Sequence, residues 1–333
     1  MEKYLDIVLN SYTGYFNYLK NELIHFHPQN YIYWLLLVSA VFFVLELTKP
    51  WREEQPKFRK DFWLDFFYMF FNFFLFSLII YNAVSSVFVE MFADFLGIFG
   101  VTNLIAINVG TLPYWIQLGI LFIVGDFLSW NVHRLLHRTP FLWQFHKLHH
   151  SVEEMGFAAH LRYHWMENVI YSFLKYIPLA MIGFSISDLF IMHIFNLTVG
   201  HYNHSNISVD GRITGGILGS LIGFAILSSY PDFLFSQQIG IIGLSTMLTS
   251  LILGKYMKVI FNSPEMHIWH HALELPKDKP YGVNFGLTLA IWDYIWKTAH
   301  VPFSGRDVRL GFSDLDQYPK TFWKQITYGF KKK

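Results

Sequence analysis

The sequence has no cysteine among its 333 residues, and only 15% of the residues are charged. The lack of cysteine excludes disulfides, thiolate zinc sites, iron–sulfur clusters and cysteine nucleophiles. The formal net charge is only +1, and no basic tract alternates with aromatic residues, so nothing favours a nucleic-acid partner. Any metal bound by this chain must therefore use nitrogen and oxygen ligands.

Apolar residues dominate instead, since 53% of the chain is hydrophobic and 20% is aromatic. This composition predicts an integral membrane protein rather than a soluble domain. Apolar runs that suit membrane crossings or re-entering helix pairs cover Tyr31–Thr48, 62–89, 112–130, 176–200 and 213–254. We therefore expect an all-α fold, a polytopic membrane helical bundle.

The last of these runs is interrupted at 228–231 and is predicted to form a re-entering pair of helices. Its glycines at Gly215, Gly219 and Gly223 recur every four residues. That spacing lets two helices approach closely in lipid, and it lacks the pattern of a nucleotide-binding loop.

Lysine and arginine indicate which side of the membrane each loop occupies. The loop KPWREEQPKFRK at 49–60 is rich in both, neither occurs between 61 and 133, and both return from Arg134 onward. Basic residues are enriched in cytoplasmic loops. We expect a multi-pass protein with its first histidine clusters, and therefore any metal site, on the cytoplasmic face.

Three short stretches are rich in histidine: NVHRLLHR at 131–138, QFHKLHHS at 144–151 and EMHIWHHA at 265–272. They contain His133, His137, His146, His149, His150, His267, His270 and His271. Spacings of three or four residues place these imidazoles on one face of each helix. Eight imidazoles are too many for one ion and suit two, so the sequence predicts a histidine-rich di-metal cap on the bundle.

Further histidines lie outside these stretches. His204, His201 and His164 are additional candidate ligands, and His160 is a weaker one. His25, His27, His193 and His300 lack a matching partner and are interpreted as interfacial side chains. The residues predicted to orient the imidazoles are Asp126, Glu153, Glu154, Glu167, Asn203, Asn284 and Asp293.

The identity of the metal is less constrained, because imidazole binds zinc, copper, nickel and iron. A hydrolytic site with two zinc ions would usually contain bridging carboxylates, and these stretches offer only Glu265, Glu153 and Glu154 beside them. Iron with an all-nitrogen shell is therefore favoured over zinc.

The motifs between 115 and 300 together resemble the fatty acid hydroxylase/sterol desaturase superfamily. DFLSWNVHRLLH at 126–137, QFHKLHHS at 144–151 and NSPEMHIWHH at 262–271 are similar to its three histidine boxes. RYHWME at 162–167, HSNI at 204–207, GVNFG at 282–286 and LAIWDYIWKT at 289–298 resemble its remaining elements. Trp165, Phe285 and Trp296–Lys297 depart from the family pattern, and the apolar run before the third box is longer than expected.

The resemblance implies two iron ions that use dioxygen as co-substrate to hydroxylate a C–H bond of a fatty acyl, sterol or related isoprenoid lipid. Zinc can replace the iron on purification. No catalytic residue beyond the metal ligands and no organic cofactor site is predicted. A desaturase using the same site is the nearest alternative, and a zinc-dependent hydrolase or metal-binding protein and an inactive scaffold are more distant ones.

The positions of the apolar runs and of the motifs predict how the chain is divided. We predict N-terminal membrane helices over 1–114, a hydroxylase-like catalytic domain over 115–300 and a C-terminal cytoplasmic tail over 301–333. The substrate would enter from the bilayer through a tunnel lined by Trp130, Trp143, Phe145 and Phe157.

Lipid hydroxylation also requires an electron supply. No dinucleotide, flavin or haem motif occurs in the sequence, so a separate ferredoxin or cytochrome with its reductase is expected. Its predicted docking patch consists of Arg134, Arg138, Lys147 and Arg162. The oligomeric state is not predicted.

Overall fold

The computed structural model describes residues 2–101, 105, 107–229 and 234–330. The described part of the chain is helical, and its β structure is confined to two isolated bridges, Phe261 with Leu289 and Ala272 with Leu310. The prediction of an all-α fold is confirmed. Tyr230 and Pro231, where the last apolar run was expected to break, lie outside the described residues, as does the terminal lysine triplet at 331–333.

The described residues form fifteen α-helices. They are α1 (Glu2–Ile24), α2 (Tyr31–Thr48), α3 (Phe62–Phe70), α4 (Asn82–Ile98), α5 (Tyr114–Arg138), α6 (Pro140–His150), α7 (Trp165–Tyr171), α8 (Ile177–Met181), α9 (Ile186–His204), α10 (Gly211–Ser229), α11 (Phe235–Leu248), α12 (Met257–Ile260), α13 (Pro264–His270), α14 (Ile291–Ile295) and α15 (Phe322–Gln325). The longest connections precede α14 and α15. Turns of π-helix cover Phe71–Leu75, Ser77–Tyr81, Ser172–Tyr176 and Thr249–Leu253.

Three helical segments among the described residues are long and apolar enough to cross a membrane. They are Tyr31–Thr48, Tyr114–Arg138 and Ser236–Ile260, and Phe62–Leu75 is a shorter apolar helix. Only 6% of the most apolar part of Ser236–Ile260 is buried inside the protein, so this helix turns nearly all of its surface outward, as lipid contact requires. The run predicted at 112–130 is confirmed as a helix, and α5 extends it to the first histidine cluster.

The glycines of α10 pack directly against α11 and the π-helical turn after it. A Cβ atom at Gly219 would collide with Thr249 Oγ1, and one at Gly215 would lie 2.8 Å from the carbonyl oxygen of Thr249. The prediction of a closely packed helix pair is confirmed. The run at 176–200 forms the short α8, a turn at Gly183 with φ of +89°, and the long α9 that ends at His204.

A buried ionic cluster joins the start of α3 to the segment before α7. Asp65 is fully buried and accepts hydrogen bonds from Arg59 and from Arg162 Nη1, the latter at 3.1 Å. Arg162 also pairs with Asp61 at 3.0 Å. Two guanidinium groups thus share one dry carboxylate, which fixes the position of Arg162 relative to α3.

The variant Asp65→Asn is expected to destabilise the fold, because it leaves two buried guanidinium groups without their shared counter-charge. Removing one partner of a buried ion pair costs about 3–5 kcal/mol. The thermal midpoint of the purified protein in detergent measures this loss. The control Asp94→Asn removes the exposed pair with Lys3 and should leave the midpoint nearly unchanged, and equal midpoints for the two variants would contradict the prediction.

Candidate metal centre

Four helices deliver histidines to one point of the fold. The end of α5 carries His133 and His137, and α6 begins immediately afterwards, with Pro140 at its first position. The end of α9 carries His204. α13 carries the third stretch and is started by Ser263, whose side chain accepts a hydrogen bond from the N–H of Met266.

The nine imidazoles form two groups, and within each group the candidate ligand atoms lie within 4.8 Å of one another. The five-histidine group contains His133, His137, His146, His150 and His270. The four-histidine group contains His149, His204, His267 and His271. All nine side chains are buried.

Consecutive histidines serve different groups. His149 and His150 are neighbours in α6 but point to different groups, and the same holds for His270 and His271. The rings of His150 and His271 stack with centroids 4.3 Å apart, so the two groups are adjacent. Each pair of consecutive histidines therefore supplies one imidazole to each group, so that neighbouring residues link the two groups.

Backbone carbonyls fix the protonation state of four imidazoles. Nδ1 of His133 lies 2.8 Å from the carbonyl oxygen of Phe285, and Nδ1 of His270 lies 2.8 Å from that of Val283. His204 and His149 make the same contact with Gly200 and Arg162, at 2.8 and 3.2 Å. Because a carbonyl only accepts, the proton is on Nδ1 and the lone pair of Nε2 is left for a ligand bond.

These lone pairs face one another across each group. Nε2 of His204 lies 3.2 Å from Nε2 of His149 and 3.0 Å from Nε2 of His267. His204 and His149 both carry their proton on Nδ1, so no hydrogen bond can join their Nε2 atoms. Two nitrogens bound to one ion at about 2.1 Å lie about 3 Å apart when their bonds are perpendicular, and the observed spacings match that arrangement.

Unpartnered nitrogens support the same conclusion for the five-histidine group. Nε2 of His137, His150 and His270 is buried and has no hydrogen-bond partner among the described residues. A buried polar atom without a partner is costly unless it binds an ion. Burial lowers the pKa of His146 and of His149 to about 3, so both remain neutral and able to bind a metal. The donor set therefore fits two metal ions.

Glu167 orients the remaining ring of α6. His146 Nδ1 donates to Glu167 Oε2 at 2.8 Å, while Glu167 Oε1 accepts from the backbone N–H of His164 at 3.3 Å. Burial raises the pKa of Glu167 to about 7, and the nearby His149 and the backbone N–H of His164 oppose that shift. The sequence-based expectation that Glu167 fixes a ligand tautomer agrees with this geometry.

The carbonyls of Val283 and Phe285 belong to a loop that is held by Asp293. Its carboxylate accepts from the N–H groups of Phe285 and Gly286 at 2.9 and 2.7 Å. Trp130 Nε1 of α5 donates to the same carboxylate at 3.1 Å. Asp293 therefore couples the loop to the helix that carries the first histidines.

Asp126 holds the next part of this loop. It accepts from the N–H groups of Thr288 and Leu289, at 3.1 and 3.2 Å, and from Trp292 Nε1 at 2.8 Å. Asn203 also contributes, since its side chain donates to the carbonyl oxygen of Leu287 at 2.6 Å. These residues position the loop that orients the ligands, as Asn284 does through the carbonyls of Met266 and His300.

Two candidate ligands lie outside both groups. His201 is hydrogen-bonded to Ser39 Oγ at 3.0 Å through Nε2 and to His160 at 3.0 Å through Nδ1. His164 precedes α7, and its Nδ1 accepts from the N–H of Met166. Both side chains thus have structural partners, and their ligation is a prediction to which the two groups add no support.

The nearby carboxylates have other partners. Glu153 pairs with Lys60 on the surface, and Glu154 accepts from the backbone N–H of Lys60. Glu265 accepts from Ser208 and Lys258. None of the three lies in either histidine group. The expectation that Glu153 and Glu154 orient imidazoles is therefore wrong, because Glu153 pairs with the side chain of Lys60 and Glu154 with its backbone N–H.

A chamber of about 340 Å³ opens beside the two groups, and both contribute to its wall. None of the aromatic residues predicted to line a tunnel, Trp130, Trp143, Phe145 and Phe157, is part of it. Phe157 packs in a hydrophobic core with residues of α2, and Phe145 packs against the ring of His164. The chamber is lined instead by tyrosine, asparagine and serine side chains of α2, α5, α7, α9 and the π-helical turns, so the predicted tunnel lining is wrong.

The predicted docking patch is also reduced by burial. Arg162 is 2% exposed within the ionic cluster, and Lys147 is 4% exposed and paired with Asp314 at 2.6 Å. Arg138 is exposed, and Arg134 is half-buried above the ring of Trp130. Only these last two basic residues can therefore contribute to an exposed surface.

Sequence reasoning did not identify the residues that act through their backbone. The carbonyls of Phe285, Val283, Gly200 and Arg162 orient ligands irrespective of side chain, so residue type gives no signal for them. Lys175 also lines the chamber, and its position directly before the apolar run at 176–200 is a sequence signal for a functional lysine.

Similarity to known proteins agrees with this site. A family model for fatty acid hydroxylases matches residues 118–221, a range that includes the first two histidine stretches and His204. An ornithine lipid hydroxylase of Rhizobium tropici is 24% identical over 221 residues, which cover 66% of this chain and 52% of the relative. The chain thus aligns with about half the length of that relative. No solved structure matches.

The variant Glu167→Gln is expected to weaken metal binding at the five-histidine group about 10- to 100-fold, because a neutral amide orients and polarises His146 less well than a carboxylate. Competition between the protein and a graded chelator measures the change. Glu153→Gln is the matched control on the surface. Equal chelator resistance of both variants and the wild type would show that Glu167 has no influence on the metal.

Metal content tests the division into two groups. The wild type should bind about two ions per chain. His271→Ala leaves three histidines in the smaller group and should reduce the content towards one, whereas His201→Gln should leave it unchanged because His201 lies in neither group. Elemental analysis of the reconstituted protein gives the numbers, and a loss of metal in His201→Gln would instead add this residue to the ligands.

Proposed function

We propose that the chain is a member of the fatty acid hydroxylase/sterol desaturase superfamily and a multi-pass membrane oxidoreductase that hydroxylates a C–H bond of a lipid with two iron ions and dioxygen. The observation that carries this proposal is the pair of buried, all-imidazole groups that share a chamber. The match to fatty acid hydroxylases and the similarity to a lipid hydroxylase support the reaction class.

The composition of the ligand sphere favours iron over a hydrolytic metal site. Each group consists of imidazoles, and Glu153, Glu154 and Glu265 are engaged elsewhere. A dizinc hydrolase usually needs a bridging carboxylate, and none of the described carboxylates belongs to either group. Iron bound by these histidines would supply the oxidising power that an unactivated alkyl group requires.

The residues of the chain hold and shield this chemistry. The carbonyl-bound Nδ1 atoms keep His133, His149, His204 and His270 in one tautomer and one orientation. Burial of all nine imidazoles excludes bulk water from the metal-facing side of the chamber. Glu167 completes the arrangement as the carboxylate partner of His146.

The electron balance requires a partner. Complete reduction of dioxygen takes four electrons and four protons; hydroxylation takes two electrons from the substrate and places one oxygen atom in the product, with the second oxygen released as water. The other two electrons come from a separate ferredoxin- or cytochrome-type donor with its reductase. We place its docking surface at the exposed end of α5 near Arg138, on the cytoplasmic face that the basic loops indicate.

A desaturase is the alternative on the same site. It would use the same two-electron donor and dioxygen, remove two hydrogen atoms from adjacent carbons and release two water molecules. The departures at Phe285 and at Trp296–Lys297 concern the region beside the ligands, and they give no preference between the two products.

Oxygen-dependent turnover decides the proposal. The protein is loaded with ferrous iron without oxygen, supplied with cell lipids, a ferredoxin and its reductase, and then exposed to dioxygen. Lipid mass spectrometry should show a product with one added oxygen atom. A product lacking two hydrogen atoms would establish the desaturase, whereas stoichiometric zinc with oxygen-independent turnover would reject the oxygenase.

The ligand variant His270→Ala should abolish this product, because it removes one imidazole from the five-histidine group. We expect a loss of at least about 100-fold, since the metal both activates oxygen and positions it. His300→Ala is the control, because its ring packs against Trp269 away from both groups. Undiminished turnover by His270→Ala would show that the metal is dispensable.

A further inference from the structure

The wall of the chamber beside the metal groups is apolar over most of its area, but it also carries many polar side chains. Among the described residues that line it are five tyrosines, four asparagines and three serines. A pocket for the middle of an alkyl chain is lined mainly by apolar side chains. The side chains here are suited to a substrate group that forms hydrogen bonds.

Lys175 provides a buried positive charge in this chamber. Its side chain is 5% exposed, and its ammonium makes no hydrogen bond or ion pair with the described residues. It lies over the ring of Tyr176, 5.4 Å from the centroid. Asp126, the carboxylate that acts on it over a longer distance, has its oxygens occupied by the loop that it holds. A buried ammonium without an ion pair is costly and suits a ligand of opposite charge.

Turns of π-helix direct several of these side chains into the chamber. Ser77 and Tyr81 bound one such turn, and Ser172 and Lys175 lie on another. A π-helical turn costs regular hydrogen bonding and occurs frequently at functional sites. The two turns meet where Tyr81 Oη and Ser172 Oγ form a hydrogen bond of 2.5 Å.

An apolar groove lies on the other side of this hydrogen bond. It has a volume of about 800 Å³, and Tyr81 and Ser172 line both the groove and the chamber. Its walls include Phe88 of α4, which is 47% exposed, and Met181 at the end of α8. The groove therefore adjoins the chamber at the hydrogen-bonded Tyr81–Ser172 pair.

We propose that chamber and groove form one site for an acidic amphiphile, with the anionic headgroup bound by Lys175 in the chamber and the hydrocarbon tail in the groove. This inference rests on the proposed function and specifies its substrate class. The lipid then presents its polar end to the metals, and the oxidised C–H bond lies in the headgroup or in the carbons next to it. Tyr81 and Ser172 separate the two parts of the bound lipid.

Binding is measured without turnover, on the full-length protein loaded with zinc in place of iron and kept in detergent. The probes share one oleoyl chain and differ in their headgroup: oleate carries a carboxylate, lysophosphatidate a phosphate, and monooleoylglycerol only hydroxyls. At least one of the two anionic probes should bind about tenfold or more tightly than the neutral one, and the better of the two identifies the acidic group.

Lys175→Met should abolish this preference by weakening the better anionic probe about 10- to 100-fold while leaving the neutral probe nearly unaffected. Lys175→Arg should retain the preference. Lys255→Met is the matched control, since Lys255 is exposed near the membrane-facing helix α11 and lies outside chamber and groove. The thermal midpoint of Lys175→Met should not fall, because no ion pair is broken; a fall together with an unchanged preference would make Lys175 structural and overturn the proposal.

The groove is tested separately by Ala180→Phe, which fills part of it. This variant should weaken all three oleoyl probes and retain the preference for the anionic ones. Equal binding of all probes by the wild type would also overturn the proposal. In a working oxygenase, fragmentation of the product should place the added oxygen on the headgroup side, whereas anionic binding without any oxygen-dependent product would reject the proposed function and leave the site intact.

Discussion

The structure depends on bringing nine neutral imidazoles together in a dry interior with their lone pairs directed inward. Such an arrangement is unfavourable without a cation, because the facing Nε2 atoms of His149 and His204 cannot hydrogen-bond to each other. Five of the nine rings are held from behind by an acceptor at Nδ1. The fold provides these acceptors as the carbonyls of Gly200, Arg162 and the loop at 283–285 and as the carboxylate of Glu167.

Much of the remaining buried polar structure serves to place these acceptors. Asp293 and Asp126 hold the loop whose carbonyls orient His133 and His270, and both carboxylates are bound by N–H donors along it. The Asp65 cluster fixes Arg162, whose carbonyl orients His149. Buried charges that stabilise little by themselves thus define the position of backbone atoms that contact the ligands.

Polar side chains of the chamber and apolar side chains of the groove underlie the proposed substrate site. Trp143 and Phe157 pack in hydrophobic cores and Phe145 packs against the imidazole of His164, so these three aromatic side chains do not line the chamber. The polar side chains of the chamber wall lie on several helices and on the π-helical turns, and the apolar groove lies along α4 and α8. The proposed headgroup and hydrocarbon tail would therefore occupy two adjoining cavities that share Tyr81 and Ser172.

The sequence by itself determined the helical class, the apolar runs and the eight clustered histidines, because helical periodicity and composition are local properties. It also indicated His204 and Glu167, which lie beside recognisable motifs. Only the tertiary structure decided how His149 and His150 divide between two groups, which carbonyls orient the rings, and that Arg162 and Lys147 are buried. These features depend on contacts between segments far apart in the chain, and residue type and spacing carry no information about them.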